Sequence, residues 1–281
     1  MYEADGKVAV VTGAGSGIGR GMALRFAARG MRLALSDLDL AALDRTCELL
    51  DARTAPVDRL AQPLDVTDAR AVAAHADAVF DHYGAVDLLC NNAGVFSGGL
   101  LWERSDADLQ FAFGANVYGI LHGVRAFVPR MVDRAVPAHV VNTVSVAGLF
   151  GAPYSGPYTI SKFAAFAATE SLAGDLRAMG SPVRAHALCP GSVRTAIASS
   201  ERHRPDSLAS PRGPDQEFVE QMLADTVADG MAPEEVAEVV LDALARPEQF
   251  LILTHPDFAE QLAARGAALA RLELPELPPF G

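Results

Sequence analysis

Short runs of β-forming residues alternate along this chain with longer stretches of helical spacing, and the first run, Val8-Ala9-Val10-Val11, is apolar at every position. A strand with one solvated face alternates polar and apolar side chains. One that is apolar throughout must be covered above and below, as in a parallel sheet held between two helical layers. Further runs at Met31 to Asp37, Leu60 to Asp65, Val86 to Asn91, His139 to Ser145, Val183 to Cys189 and Phe250 to Thr254 join Lys7 to Thr12 to give seven strands. Between them, Met22, Phe26 and Ala27, and later Val72, Ala76, Val79 and Phe80, show the spacing of helices that bury one face. Right-handed crossovers turn this order into an α/β fold, a doubly wound seven-stranded parallel sheet with helices on both faces. A chain of 281 residues suits one such domain spanning 1–281. Two stretches break the rhythm. Val193 to Gly230, rich in Arg, Pro, Ser and Asp, is expected as a lid, and residues 255–281 as a docked C-terminal arm.

Several function classes are disfavoured before any motif is considered. A formal charge of −12 opposes a general affinity for nucleic acid or anionic lipid. There is no run of about 18 apolar residues that could span a bilayer. Met1 to Lys7 lacks the basic start and small-residue cleavage site of a secretion signal, so a cytoplasmic location is expected. Cys47, Cys90 and Cys189 sit in apolar surroundings without metal-ligand spacing, and no His-Glu-x-x-His pattern occurs. Neither disulfides nor a metal are expected. A small-molecule substrate fits best.

Directly after the first strand comes Thr12-Gly13-Ala14-Gly15-Ser16-Gly17-Ile18-Gly19, followed by a helical pattern. Glycines at a strand-to-helix turn leave room for a pyrophosphate against backbone amides, where unpaired N–H groups and the helix dipole favour anions. The strand before and the helix after make this a Rossmann-type phosphate turn rather than a simple tight turn, with Gly13, Ser16, Gly17, Ile18 and Gly19 as its candidate residues. Asp37 stands at the end of the second strand, where a carboxylate accepts hydrogen bonds from ribose hydroxyls and repels a 2′-phosphate. Leu38 follows it and Ser16 occupies the turn, so no obvious cation waits for that phosphate. NAD(H) is therefore expected over NADP(H). Asp37 has a second role open to it, as the cap of the helix beginning near Leu40, which Asp39 could fill equally well.

The chain writes its positive charge almost entirely as arginine. Lys7 and Lys162 are its only lysines, against 21 arginines, and Lys162 lies four residues after Tyr158, on the same helical face. An ammonium is a compact charge with three donors, unlike the planar guanidinium fork. A free tyrosine titrates near 10. Proton exchange with an alcohol at neutral pH requires its phenolate to be stabilised by roughly 3–4 kcal/mol, which an ammonium about 4–5 Å away supplies at an effective dielectric near 20. Ser145 ends the fifth strand, thirteen residues upstream of Tyr158. The three form a candidate proton-transfer site.

Thr12-Gly13-x-x-x-Gly17-x-Gly19, Asn91-Asn92-Ala93-Gly94, Asn116, Ser145, Tyr158-x-x-x-Lys162 and Pro190-Gly191-x-Val193-x-Thr195 together resemble, in order and spacing, the short-chain dehydrogenase/reductase family, from about Lys7 to Thr254. The resemblance implies Tyr158 as general base in alcohol oxidation and general acid in ketone reduction, with Ser145 binding the substrate oxygen. It implies that Lys162 also bonds the nicotinamide ribose, and that Asn116 holds a water linking Lys162 to solvent. Asn116 could instead be an interior amide satisfying helix backbone. Asp65 and Val66 are implied at the adenine, Asn92 and Gly94 along the cofactor bed, Val193 and Thr195 at the carboxamide, and Pro190 as a further cofactor-binding residue. Asp65 and Asp68 could also cap the next helix, and Asn92 could be a turn former. Pairing through helices around Phe111 to Met131 and Tyr158 to Met179 is implied, giving a homotetramer or homodimer.

The Val193 to His255 stretch and the added tail look similar to members that act on secondary alcohols of bulky apolar molecules, including benzylic alcohols of lignin-type aryl ethers. Phe96, Leu149, Phe150, Tyr154, Phe218 and Met222 could shape such a pocket, or could be ordinary packing. The competing expectations are a 3-oxoacyl thioester reductase, disfavoured by Asp37 and the acidic charge, a catalytically silent NAD-binding regulatory protein, and a scaffold whose tail recruits a partner.

Overall fold

A computed structural model describes residues 2–53, 56–246 and 248–276. Residues 277–281, the end of the expected arm, lie outside the described residues. The strands are β1 (Val8–Thr12), β2 (Arg32–Asp37), β3 (Arg59–Pro63), β4 (Leu88–Asn91), β5 (Ala138–Thr143), β6 (Val183–Cys189) and β7 (Leu251–Leu253). They form one parallel sheet in the order β3-β2-β1-β4-β5-β6-β7. The described helices are α1 (Gly17–Ala28), α2 (Leu40–Arg53), α3 (Ala69–Tyr83), α4 (Asp106–Phe113), α5 (Gly119–Asp133), α6 (Gly156–Ala178), α7 (Pro214–Ala228), α8 (Pro233–Leu244) and α9 (Phe258–Ala270).

The continuous apolar runs are explained by what covers each face. Ala9, Val11, Leu33, Leu35 and Leu88 pack against Met22 and Phe26 of α1, Leu43 and Leu50 of α2, and Val236 and Val240 of α8. The intervening Val8, Val10, Leu89 and Val140 pack against Val79 of α3, Phe127 and Met131 of α5, and Leu176 of α6. Each fully buried Val, Leu or Phe contributes roughly 1.5–3 kcal/mol, so both faces of the sheet are strongly held.

Local chemistry sets the helix ends. Asp68 accepts from the amides of Arg70 and Ala71 at the start of α3, and Gly84 closes that helix in the left-handed conformation. Ser105 and Asp108 form a reciprocal capping box on α4. Between α4 and α5 the chain makes one π turn, Gly114–Tyr118, which carries Asn116.

The stretch expected as a lid is more ordered than its composition suggests. It holds a kinked 3₁₀ segment, Ile197–His203, a second at Asp206–Leu208, and all of α7. Its two ends meet, because Arg194 N–H donates to Met231 O and Met231 N–H donates to Ser192 O, both at 3.0 Å. The sheet order reverses between β1 and β4. That crevice, at the carboxyl ends of the strands, is where ligands bind in folds of this kind.

Candidate active site

A cleft of about 710 Å³ opens at the crevice. Its walls include Gly13, Ser16, Gly17, Ile18, Asp37, Asp65, Val66, Asn92, Gly94, Ser145, Tyr158, Lys162, Pro190, Val193 and Thr195, so residues spread over most of the chain converge on one cavity. Gly19 and Asn116 do not line it.

The turn after β1 is shaped for close approach. A Cβ on Gly19 would lie 2.1 Å from the Gly13 carbonyl oxygen, so Gly19 lets α1 pack against the strand end instead of touching a ligand. Gly17 has φ +48°, a conformation other residues rarely adopt, and Thr195 Cγ2 would lie 2.9 Å from any Cβ there. Ser16 makes no side-chain cap on α1, whose first turn carries no acid. The amides of that helix end are thus left to an anion.

Asp37 is not the helix cap. Asp39 does that work, its Oδ1 accepting from Ala42 N–H at 2.9 Å. Asp37 Oδ2 accepts from Gly15 N–H at 2.8 Å and Oδ1 from Asp39 N–H at 2.9 Å, which aims the carboxylate along the cleft wall with lone pairs to spare. Arg20 is a cation on this turn that sequence inspection does not single out. It bonds inward, to Thr46 Oγ1 at 2.9 Å, to Ala42 O and to Gly15 O. Asp65 accepts from Thr67 N–H and Oγ1, while Asp68 caps α3. Asn92 lines the cleft, but its amide joins strands: Nδ2 donates to Thr12 O at 3.0 Å and Oδ1 accepts from Thr143 Oγ1 at 3.1 Å.

At the other end of the cleft, α6 presents Tyr158 and Lys162 one turn apart, and Ser145 comes from the end of β5. Ser145 hydrogen-bonds the Tyr158 side chain and accepts from Ala147 N–H at 3.1 Å. The Lys162 side chain is buried, and Nζ donates to the Thr143 carbonyl at 3.0 Å. Among the described residues that is its one hydrogen bond, leaving two N–H donors of a buried ammonium beside the cleft. Burial lowers the Lys162 pKa to about 8 and raises that of Tyr158, with Ser145 opposing the rise. The protein alone therefore keeps the phenol protonated. In place of the depression expected from a neighbouring charge, desolvation sets the direction of the Tyr158 shift.

Asn116 is fully buried and spends its side chain on the protein. Nδ2 donates to Val95 O and Ser161 Oγ, and Oδ1 accepts from Val95 N–H, all at 2.9 Å. It ties the π turn to the loop after β4 and to α6, so it positions the helix carrying Lys162 without facing the cavity.

Of the apolar candidates, Phe96 and Phe150 line the cleft, and the Phe96 ring lies 5.1 Å from that of Tyr158. Leu149 is core packing. Tyr154 packs edge-on against Phe218, which faces outward with Met222, while Leu223, Thr226 and Val227 turn the other face of α7 to the cleft. Phe258, from the first turn of α9, also lines it, packed on Phe150 at 5.9 Å. Phe258, Arg202 and His203 are among the cleft residues that carry no sequence signal. They belong to no motif, and the weak periodicity of their segments does not say which way they face.

A family model described as short chain dehydrogenase matches residues 7–206. A 1-deoxy-11-beta-hydroxypentalenate dehydrogenase of Streptomyces exfoliatus is 37% identical over 253 residues, covering 89% of this chain and 84% of that protein. A CLA biosynthesis dehydrogenase/reductase of Lactiplantibacillus plantarum is 31% identical over 263 residues, covering 92% and 91%. Among solved structures, a short chain dehydrogenase/reductase from Burkholderia phymatum in complex with NAD is 42% identical with a TM-score of 0.94, covering 99% of both chains.

Proposed function

The chain belongs to the short-chain dehydrogenase/reductase family of oxidoreductases, and from that premise we propose that it is an NAD-dependent dehydrogenase of secondary alcohols on bulky, largely apolar molecules. The cofactor assignment draws on the uncapped start of α1 at Ser16 and Gly17 and on the Asp37 carboxylate, and it agrees with the NAD held by the Burkholderia protein. The glycine turn, Asp37 and Lys162 would hold NAD, which would supply the hydride acceptor for alcohol oxidation and, in reduced form, the donor for ketone reduction.

The chain's own residues handle the proton and the oxygen. In oxidation Tyr158 Oη takes the hydroxyl proton, and in reduction it gives the proton back. Ser145 Oγ donates to the substrate oxygen as negative charge develops there. Because burial holds the free-protein phenol protonated, Tyr158 is ready as an acid. To act as a base it needs nearby positive charge, which Lys162 supplies best when its ammonium stays charged. The two spare Lys162 donors suit the hydroxyls of a ribose. Asn116 holds α6 in register.

Lys162 is the observation that carries the proposal: a chain with two lysines has buried one, charged at neutral pH, beside a tyrosine and a serine in a large cleft. The same pair argues against a silent cofactor-binding role. Val95, Phe96, Phe150, Val227 and Phe258 give the substrate end its apolar character, and a relative named for dehydrogenation of a hydroxypentalenate supports a bulky substrate. The segment 193–230 serves as the lid and α9 as part of the wall. Assembly as a homotetramer or homodimer fits the exposure of Tyr118 before α5 and Ile160 on α6. Replacement of Tyr158 by Phe, assayed on a panel of terpenoid, aryl and steroid alcohols with NAD and with NADP, is the test. Turnover should vanish while NADH still binds, and substantial residual turnover would remove Tyr158 from the chemistry.

A further inference from the structure

We infer that Arg202 and His203, neighbours on the 3₁₀ segment that crosses the cleft, form a clasp for the adenosine diphosphate half of the dinucleotide, Arg202 meeting the pyrophosphate and His203 closing over the ribose side at Asp37. The inference rests on the proposed use of NAD.

The place of Arg202 follows from a short chain of contacts. Thr195 packs on Gly17, the glycine of the phosphate turn, with 2.9 Å between Thr195 Cγ2 and the position of a Gly17 Cβ. Ala196 is the next residue, and Arg202 Nη1 donates to Ala196 O at 3.1 Å, to Ser199 O at 2.7 Å and to Ser199 Oγ at 2.8 Å. These bonds hold the guanidinium near the turn. Nε and Nη2 donate to no described residue, and the side chain lines the same cleft as Ser16, Gly17 and Ile18.

Charge accounting then singles out Arg202. A pyrophosphate linkage brings two negative charges to a turn whose neighbouring side chain, Asp37, is itself acidic. Arg20 is bound inward, behind the turn. Arg204 also lines the cleft, but its guanidinium pairs with Asp108 at 3.1 Å and with Glu201 at 2.6 Å. Among the described residues, Arg202 is the arginine lining the cleft without an acid partner, and guanidinium is well suited to phosphate oxygens. His203 lines the same wall as Asp37 and feels the charges of Asp37 and Asp39, which is why the ribose side is assigned to it. One segment thus touches both ends of the adenosine diphosphate.

The test is binding, measured by calorimetry and NADH fluorescence, with NADH, ADP-ribose and adenosine as ligands. Arg202→Met should weaken NADH and ADP-ribose about tenfold, the worth of one charge-assisted contact, and leave adenosine unchanged. Arg202→Lys should restore part of the loss, and His203→Ala should weaken adenosine as well. Unchanged NADH affinity in Arg202→Met, equal losses for ADP-ribose and adenosine, or no recovery in Arg202→Lys would each overturn the clasp. Failure of the unmodified protein to bind NADH would instead remove the cofactor assignment itself, and the clasp with it.

Discussion

The Lys162 ammonium sits 5.6 Å from the centre of the Tyr158 ring, yet its hydrogen bond goes to the Thr143 carbonyl at the end of β5, 3.0 Å away. The amine is held by the sheet, with its remaining donors available to the cleft. A cation fixed in this way can serve a ligand and a phenol together.

Lys162 gives the first prediction. Its folded pKa, about 8, lies below the ordinary lysine value, so between the two the unfolded chain binds the proton and the folded chain does not. This group's contribution to stability therefore rises with pH through that window. Cofactor affinity should move oppositely, because a ribose partner favours the charged form, and should fall as pH rises through 8. Lys162→Met should flatten that dependence and lower turnover by about 100-fold or more. NADH titrations from pH 6.5 to 9.5 check it.

Asp37→Asn should narrow the preference for NAD over NADP. One amide oxygen cannot serve both Gly15 and Asp39, so NAD binding should weaken, while loss of the negative charge removes the repulsion of a 2′-phosphate. A shift in the affinity ratio of about tenfold is expected. Parallel dissociation constants for the two cofactors would show it, and an unchanged ratio would exclude Asp37 from discrimination.

The 193–230 segment is strapped to α4 by Arg204, which pairs with the buried Asp108 at 3.1 Å and lies over the Phe111 ring at 4.4 Å. Arg204→Met leaves that carboxylate unpaired and should cost about 3 kcal/mol. Thermal unfolding should report the loss, with proteolytic cleavage between residues 197 and 213 appearing first. Asp108→Asn in the same background should recover part of the stability.

Phe258→Ala should separate bulky from small substrates. Removing the ring that α9 places in the wall should raise KM for a polycyclic alcohol several-fold, with little effect on a small one and none on NADH affinity. Equal effects on both alcohols would assign Phe258 to packing alone.

His139 and His186 predict acid sensitivity away from the cleft. His186 Nδ1 donates to the Gln249 carbonyl at 2.6 Å, so its Nε2 accepts from His139 Nδ1–H at 3.0 Å and both rings are neutral. Burial pushes His139 down to about 3 and lowers His186. Their folded pKa values lie below the unfolded one near 6.5, so stability is full above that pH. For His139 it declines by about 1.4 kcal/mol per pH unit as pH falls from the unfolded value toward 3, and His186 adds a loss of the same sign. Urea midpoints at pH 7 and pH 5 should differ accordingly, and less so in a His139→Gln variant.

Much of this molecule was legible along the chain. Val8 to Val11, apolar at each position, implied a sheet covered on both faces, and the glycine turn, Asp37, Ser145, Tyr158 and Lys162 identified themselves by spacing. Asn116 was legible as a motif residue, but its work was not, since an amide can face a cavity or the protein and only its neighbours Val95 and Ser161 show which. Arg202, His203 and Phe258 carry no motif, because their place in the cleft comes from how distant segments fold back over it.

Periodicity and glycine spacing are local properties, set by strand and helix geometry, and so the sequence by itself determined the elements, their order and the residues able to do acid–base chemistry. The tertiary structure alone decided which cations face the cleft and which are already paired. It also decided that burial leaves Tyr158 protonated and brings Lys162 near 8. Desolvation and pairing depend on every atom packed around a group, and those atoms come from all along the chain.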